Sequence, residues 1–83
     1  MVKEIRIGKK SKGSYVSAVL YAFNHGKNPV IVAGLGGQVP KTFDVAEIIG
    51  NMLDKVDSVD TEVFEKDNLQ GVRITLAKEG QNG

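Results

Sequence analysis

Apolar and polar residues alternate where the chain opens. Ile5 and Ile7 fall on one side and Glu4 and Arg6 on the other, which predicts a first strand over Lys3 to Ile7. Gly8 to Gly13 breaks the alternation with a lysine-rich turn. The period then lengthens. Val16, Val19, Leu20 and Phe23 recur at i, i+3, i+4 and i+7, the stripe of a core-facing helix, predicted over about Ser14 to Asn24. Ser11 or Ser14 can cap its start, and Asn24-His25-Gly26 is a natural stop because Gly26 is free to turn left-handed.

Val30-Ile31-Val32-Ala33 is a continuous, largely β-branched run of the kind found in a strand covered on both faces or central in a sheet. Gly34-Leu35-Gly36-Gly37 makes a flexible loop, and a second helix is predicted from about Pro40 to Leu53. Its stripe is Val45, Ile48, Ile49 and Met52, widened by Leu53, with Pro40 well placed in the first turn. The chain then alternates twice, through Val59, Thr61 and Val63 and again through Val72, Ile74 and Leu76. The turn-rich segment Lys66 to Gly71 between them predicts a β-hairpin. The element order is β-α-β-α-β-β. Right-handed crossovers place both helices on one face of a mixed four-stranded sheet, giving an α/β two-layer sandwich whose other sheet face is partly wet. Residues 1–83 read as one domain, with a frayed tail over 79–83.

Composition narrows the chemistry. With 83 residues the core is modest, and oligomerisation is a natural source of added stability. The absence of Cys excludes disulfides, thiolate metal sites and thiol catalysis, and a single His excludes a multi-histidine site. The longest apolar run, Pro29 to Gly37, is too short to span a bilayer, and the charged opening is unlike a secretory signal. An intracellular, non-enzymatic protein with no cofactor and no metal is expected.

Charge changes the picture more. Residues 1–41 hold seven cations against Glu4 alone, whereas residues 42–83 hold four cations against nine carboxylates. Such a split suits a positive face for a polyanion, or self-complementary contacts between copies. Lys9, Lys10 and Lys12 crowd one strand-to-helix turn that contains no acidic residue. A phosphate backbone would relieve their repulsion, and the helix start adds free N–H groups and partial positive charge. The alternative is a solvated basic loop. Gly34-x-Gly36-Gly37 could bring backbone N–H groups close to an anion, with Lys41 assisting, or could be a plain tight turn; it lacks the P-loop ending. His25 suits a surface or capping role. Asp44 and Glu47 share a helix face as charged decoration or a subunit contact. Tyr15, Phe23 and Phe43 sit at helical positions, and Tyr15 adjoins the lysine turn.

Ile7-Gly8-Lys9-Lys10, then Tyr15-Val16, then Phe23-Asn24-His25-Gly26, then Val30-Ile31-Val32 and Lys41, then Asp44 through Asn51, resemble the Alba family of archaeal nucleic-acid-binding proteins over about residues 3 to 78. That resemblance implies the fold order already read. It also implies a nucleoid-associated homodimer binding double-stranded DNA or RNA with little sequence preference, able to assemble further or to pair with a paralogue. Lys9 and Lys10 match the family's phosphate-contacting pair, Lys9 also a lysine acetylated in some members, and Lys41 another basic position at that surface. Lys12, Tyr15, Gly36 and Gly37 complete the expected contact set. Asp44, Ile48 and Leu53 are expected at dimer or dimer–dimer contacts, Leu53 matching a position of side-by-side packing. Leu35 and Gly37 replace arginines usual in the family, and the final hairpin is short, with Glu65 and Asp67 flanking Lys66; both imply fewer phosphate contacts and a shallower salt dependence. An interaction module that keeps the fold but little nucleic-acid affinity is the alternative.

Overall fold

The computed structural model describes residues 2–79. The expected order is found: β1 (Lys3–Arg6), α1 (Lys12–Asn24), β2 (Val30–Leu35), one 3₁₀ turn (Gly36–Gln38), α2 (Val39–Met52), β3 (Val56–Lys66) and β4 (Leu69–Lys78). The sheet runs β1-β2-β4-β3. β1 lies parallel to β2, and β4 is antiparallel to both β2 and β3. β2 and β3 therefore run the same way with β4 between them.

Both helices cover one face. Val19, Phe23, Val45 and Ile49 meet Val30, Val32, Val72, Ile74 and Leu76, all at most 2% exposed. Burial of such side chains, worth roughly 1.5–3 kcal/mol each, is the main force holding the layers together. Asn28 closes the far end of the sheet: its amide donates to Lys78 O at 2.9 Å and its Oδ1 accepts from Lys78 N at 3.0 Å.

The boundaries differ instructively from those predicted. β1 ends at Arg6, although Ile7 N still donates to Ala33 O at 2.7 Å and the Ile7 side chain is buried. α1 begins at Lys12 because Ser11, in extended conformation, caps it by accepting from Ser14 N at 3.3 Å. His25 closes that helix by backbone donation, stacks its ring 4.0 Å from Tyr21, and is followed by Gly26 at φ +79°. In α2, Met52 leaves the predicted core stripe and is 55% exposed.

The hairpin departs most. Only Asp67 and Asn68 form its turn, both with positive φ (53° and 66°), so Lys66, Leu69, Gln70 and Gly71 belong to the strands. Left-handed conformation at both central residues matches the right-handed twist of the flanking strands, which is why Asp and Asn serve there. A bulge between Ser58 and Asp60 shifts the register, and Val59 and Val63 are exposed while Val56 enters the core. The part of the expected tail that falls on 80–83 lies outside the described residues; Glu79 N donates to Lys55 O.

Candidate nucleic-acid interface

The lysine turn joins β1 to α1, and two side chains from the helices fix its backbone. Tyr15, in the first turns of α1, places its hydroxyl 2.8 Å from Gly8 N and 3.2 Å from Lys10 N, accepting from both. Lys41, from the start of α2, donates to Gly8 O and Lys10 O, each at 2.8 Å. Gly8 and Lys10 thus have both their backbone donors and their backbone acceptors engaged. A side chain at position 8 would sit 3.1 Å from the Tyr15 hydroxyl, so glycine lets the turn come this close. The Lys41 ammonium also lies 6.0 Å from the Tyr15 ring centre, at the outer range of a cation–π contact.

The consequence is a division of labour among the expected contact residues. Lys9 and Lys10 are exposed, and among the described residues neither ammonium has an ion-pair or hydrogen-bond partner. Lys12 is half-exposed and bridges to Asp44 at 2.9 Å. The turn itself contains no acid, but α2 supplies one, so part of its repulsion is relieved within the fold. Lys41 is half-buried and committed to the turn's carbonyls. Tyr15 is half-buried beneath the turn rather than spread on its surface.

The glycine loop resolves into two different uses. Gly34 lies inside β2, where an added Cβ would overlap the Thr42 hydroxyl and approach Gln38 O to 2.9 Å. Thr42 is fully buried and donates to that same Gln38 O at 2.8 Å, so the start of α2 packs directly on the strand. Gly36 provides φ +59° for the turn, and Gly37 is exposed with open space around its Cα. The loop is a tight turn in construction, and its exposed end adjoins the segment carrying Lys41.

Of the expected subunit-contact residues, Ile48 and Leu53 are half-buried against the core, and Asp44 holds Lys12. Sequence reasoning did not anticipate a groove of about 520 Å³ between α2 and β3, lined by Phe43, Ala46, Glu47, Gly50, Val56 and Thr61 among others. Phe43 is 47% exposed there, beside a hairpin carrying exposed Val59 and Val63. The available signal was the alternation of β3, which the sequence left without a named partner layer.

The family model described as Alba matches residues 3–67. The DNA/RNA-binding protein Alba of Thermoplasma acidophilum is 32% identical over 83 residues, spanning 89% of this chain and 93% of that protein. The chain belongs to the Alba family. The DNA/RNA-binding protein Alba of Nanoarchaeum equitans is also 32% identical, over 90% of this chain and 97% of its own. Among solved structures, Alba from Thermoplasma volcanium superposes with a TM-score of 0.77 at 29% identity, covering 92% of this chain and all of that one. ALBA1 from Trypanosoma brucei shares the fold at a TM-score of 0.86 and 19% identity, over 92% of this chain and 69% of its own. Among the described residues no helix is long and apolar enough to cross a membrane, and no cluster of potential metal ligands occurs.

Proposed function

We propose that this Alba-family chain is a sequence-independent binder of double-stranded DNA or RNA, acting by binding rather than catalysis, as a homodimer associated with the cell's nucleic acid. The observation that carries this reading is the pair Lys9 and Lys10, two unpartnered ammonium groups on a turn whose backbone is fixed before any ligand arrives. Fixing the turn in advance reduces the ordering cost of binding. Charge contact with phosphates gives affinity that depends on salt and hardly on sequence. Lys12 and the start of α1 add positive potential beside the pair, and Gly36 and Gly37 leave the neighbouring backbone open to a strand. Tyr15 and Lys41 act by holding the turn. The names of the relatives, DNA/RNA-binding proteins, support the same ligand class.

Dimer formation is drawn through the α2–β3 groove, with Phe43 as its apolar anchor; Asp44, turned toward Lys12 of α1, lies outside that groove. Ile48, Met52 and Leu53, at the other end of α2, form a second apolar patch suited to packing dimers side by side. Acetylation of Lys9 would remove one of the two free charges and weaken binding.

Replacing both lysines (Lys9→Ala with Lys10→Ala) is expected to weaken duplex binding at least about tenfold at low salt, the loss of two phosphate contacts. A gel-shift titration that gives the unaltered affinity would refute the assignment.

A further inference from the structure

The sheet face that carries no helix holds a second concave site. A groove of about 190 Å³ is lined by Glu4, Arg6 and Ile7 of the β1 segment, Ala33 and Leu35 of β2, and Phe64, Lys66 and Arg73 of the hairpin. Its construction depends on Gly71. A Cβ at that position would come within 2.5 Å of the Phe64 ring, so the ring can lie down across β4 only because residue 71 has no side chain. The Arg73 guanidinium rests 4.8 Å from the centre of that ring. It pairs with Glu62 at 2.9 Å and with Glu4 at 3.3 Å, two carboxylates against one guanidinium, which leaves this cluster with one net negative charge. Arg73 Nε is nevertheless buried without an aligned hydrogen-bond acceptor, so a small shift of the guanidinium would offer that donor to a ligand.

Arg6 and Lys66 outweigh that residual charge and leave the groove positive by one. Both are exposed, and among the described residues neither side chain has an acidic or hydrogen-bonding partner. Arg6 stands three positions before Lys9 on one continuous segment, so the groove opens directly beside the basic turn. Apolar walls, an aromatic ring and two free cations around a space of this size fit one nucleotide. A base can enter between the apolar walls while its phosphate lies toward Arg6 and Lys66. This pairing of a basic track with an aromatic platform is how single strands are held. A duplex presents its bases inward and cannot reach the floor.

We infer that the open sheet face binds an unpaired nucleotide of a single strand, giving the chain a contact for single-stranded RNA or DNA distinct from its duplex-binding turn. The inference takes its ligand class from the nucleic-acid reading above, but its residues are separate. The test compares a twelve-nucleotide oligouridylate with a twelve-base-pair duplex by fluorescence anisotropy. Arg6→Gln with Lys66→Gln, both surface changes, is expected to lower oligouridylate affinity at least about tenfold while changing duplex affinity less than about twofold. Titration of the unaltered protein with oligouridylate should shift the backbone amide resonances of Leu35 and Gly71. Equal losses on both probes, no loss on oligouridylate, or resonance shifts confined to the lysine turn would overturn the inference. The Lys9→Ala/Lys10→Ala protein measured alongside separates the two proposals: if it keeps full duplex affinity the duplex reading fails, whatever the groove does.

Discussion

At the scale of single residues, the most consequential finding is that Lys41 serves the turn before it serves any ligand. Its ammonium sits between two carbonyl oxygens at 2.8 Å, where a phosphate contact would require leaving both. Lys41→Met should therefore weaken duplex binding by loosening Lys9 and Lys10. In the Lys9→Ala/Lys10→Ala background the same change should cost almost nothing further. A double-mutant cycle measured by anisotropy decides this, since groups that work through one another are not additive whereas separate phosphate contacts are. The sequence singled out Lys41 but could not show what its ammonium holds. Its partners lie 31 and 33 positions away, and no local pattern connects a helix-start lysine to carbonyls of a distant turn. Tyr15 was more legible, being only five and seven residues from the N–H groups it accepts from.

At the scale of elements, hydrophobic period sufficed wherever one face alone is buried. α1, α2 and β4 each carry their core residues at the spacing their geometry demands and were anticipated to within a few residues, whereas β2 was legible from its continuous β-branched run. β3 was harder because a bulge resets its alternation after Ser58, and because its outer half has no layer above it. The hairpin turn was overextended in the sequence reading: Leu69, Gln70 and Gly71 look loop-like by composition, yet Gly71 is a strand residue whose missing side chain admits Phe64. The true turn makes a specific demand. Asn68 holds φ 66°, and a β-branched side chain there pays about 1–2 kcal/mol in steric cost. Asn68→Val should lower stability by that amount in urea denaturation, while Asn68→Gly should leave it nearly unchanged.

At the scale of the whole molecule, the chain is small, and apolar surface remains between α2 and the hairpin arm. Phe43 is the largest exposed side chain lining that groove. Phe43→Glu puts a charge where the partner chain of the proposed dimer would pack; the unaltered chain should sediment as a dimer and the variant as a monomer in sedimentation equilibrium. Affinity for long duplexes should fall with it, since one lysine turn then acts where two were coupled. The charge split along the chain was visible from sequence, but its spatial meaning was not. Lys12 from the basic half pairs with Asp44 from the acidic half, and Arg73 from the acidic half gathers Glu4 and Glu62. The halves therefore partly neutralise each other, while among the described residues Lys9 and Lys10 stay free at the turn and Arg6 and Lys66 stay free at the separate groove of the open sheet face.

The strand order leaves β3 at a border of the sheet, eleven residues long and unpaired along one side. Such a border invites a second copy to zip on and extend the sheet across the pair. Asp57, Asp60, Glu62 and Glu65 stand along it, so an antiparallel copy would bring carboxylate against carboxylate. The acidity that looked like a defect in a polyanion binder thus acts as a fence, turning growth away from the sheet and leaving assembly to the apolar patches of α2.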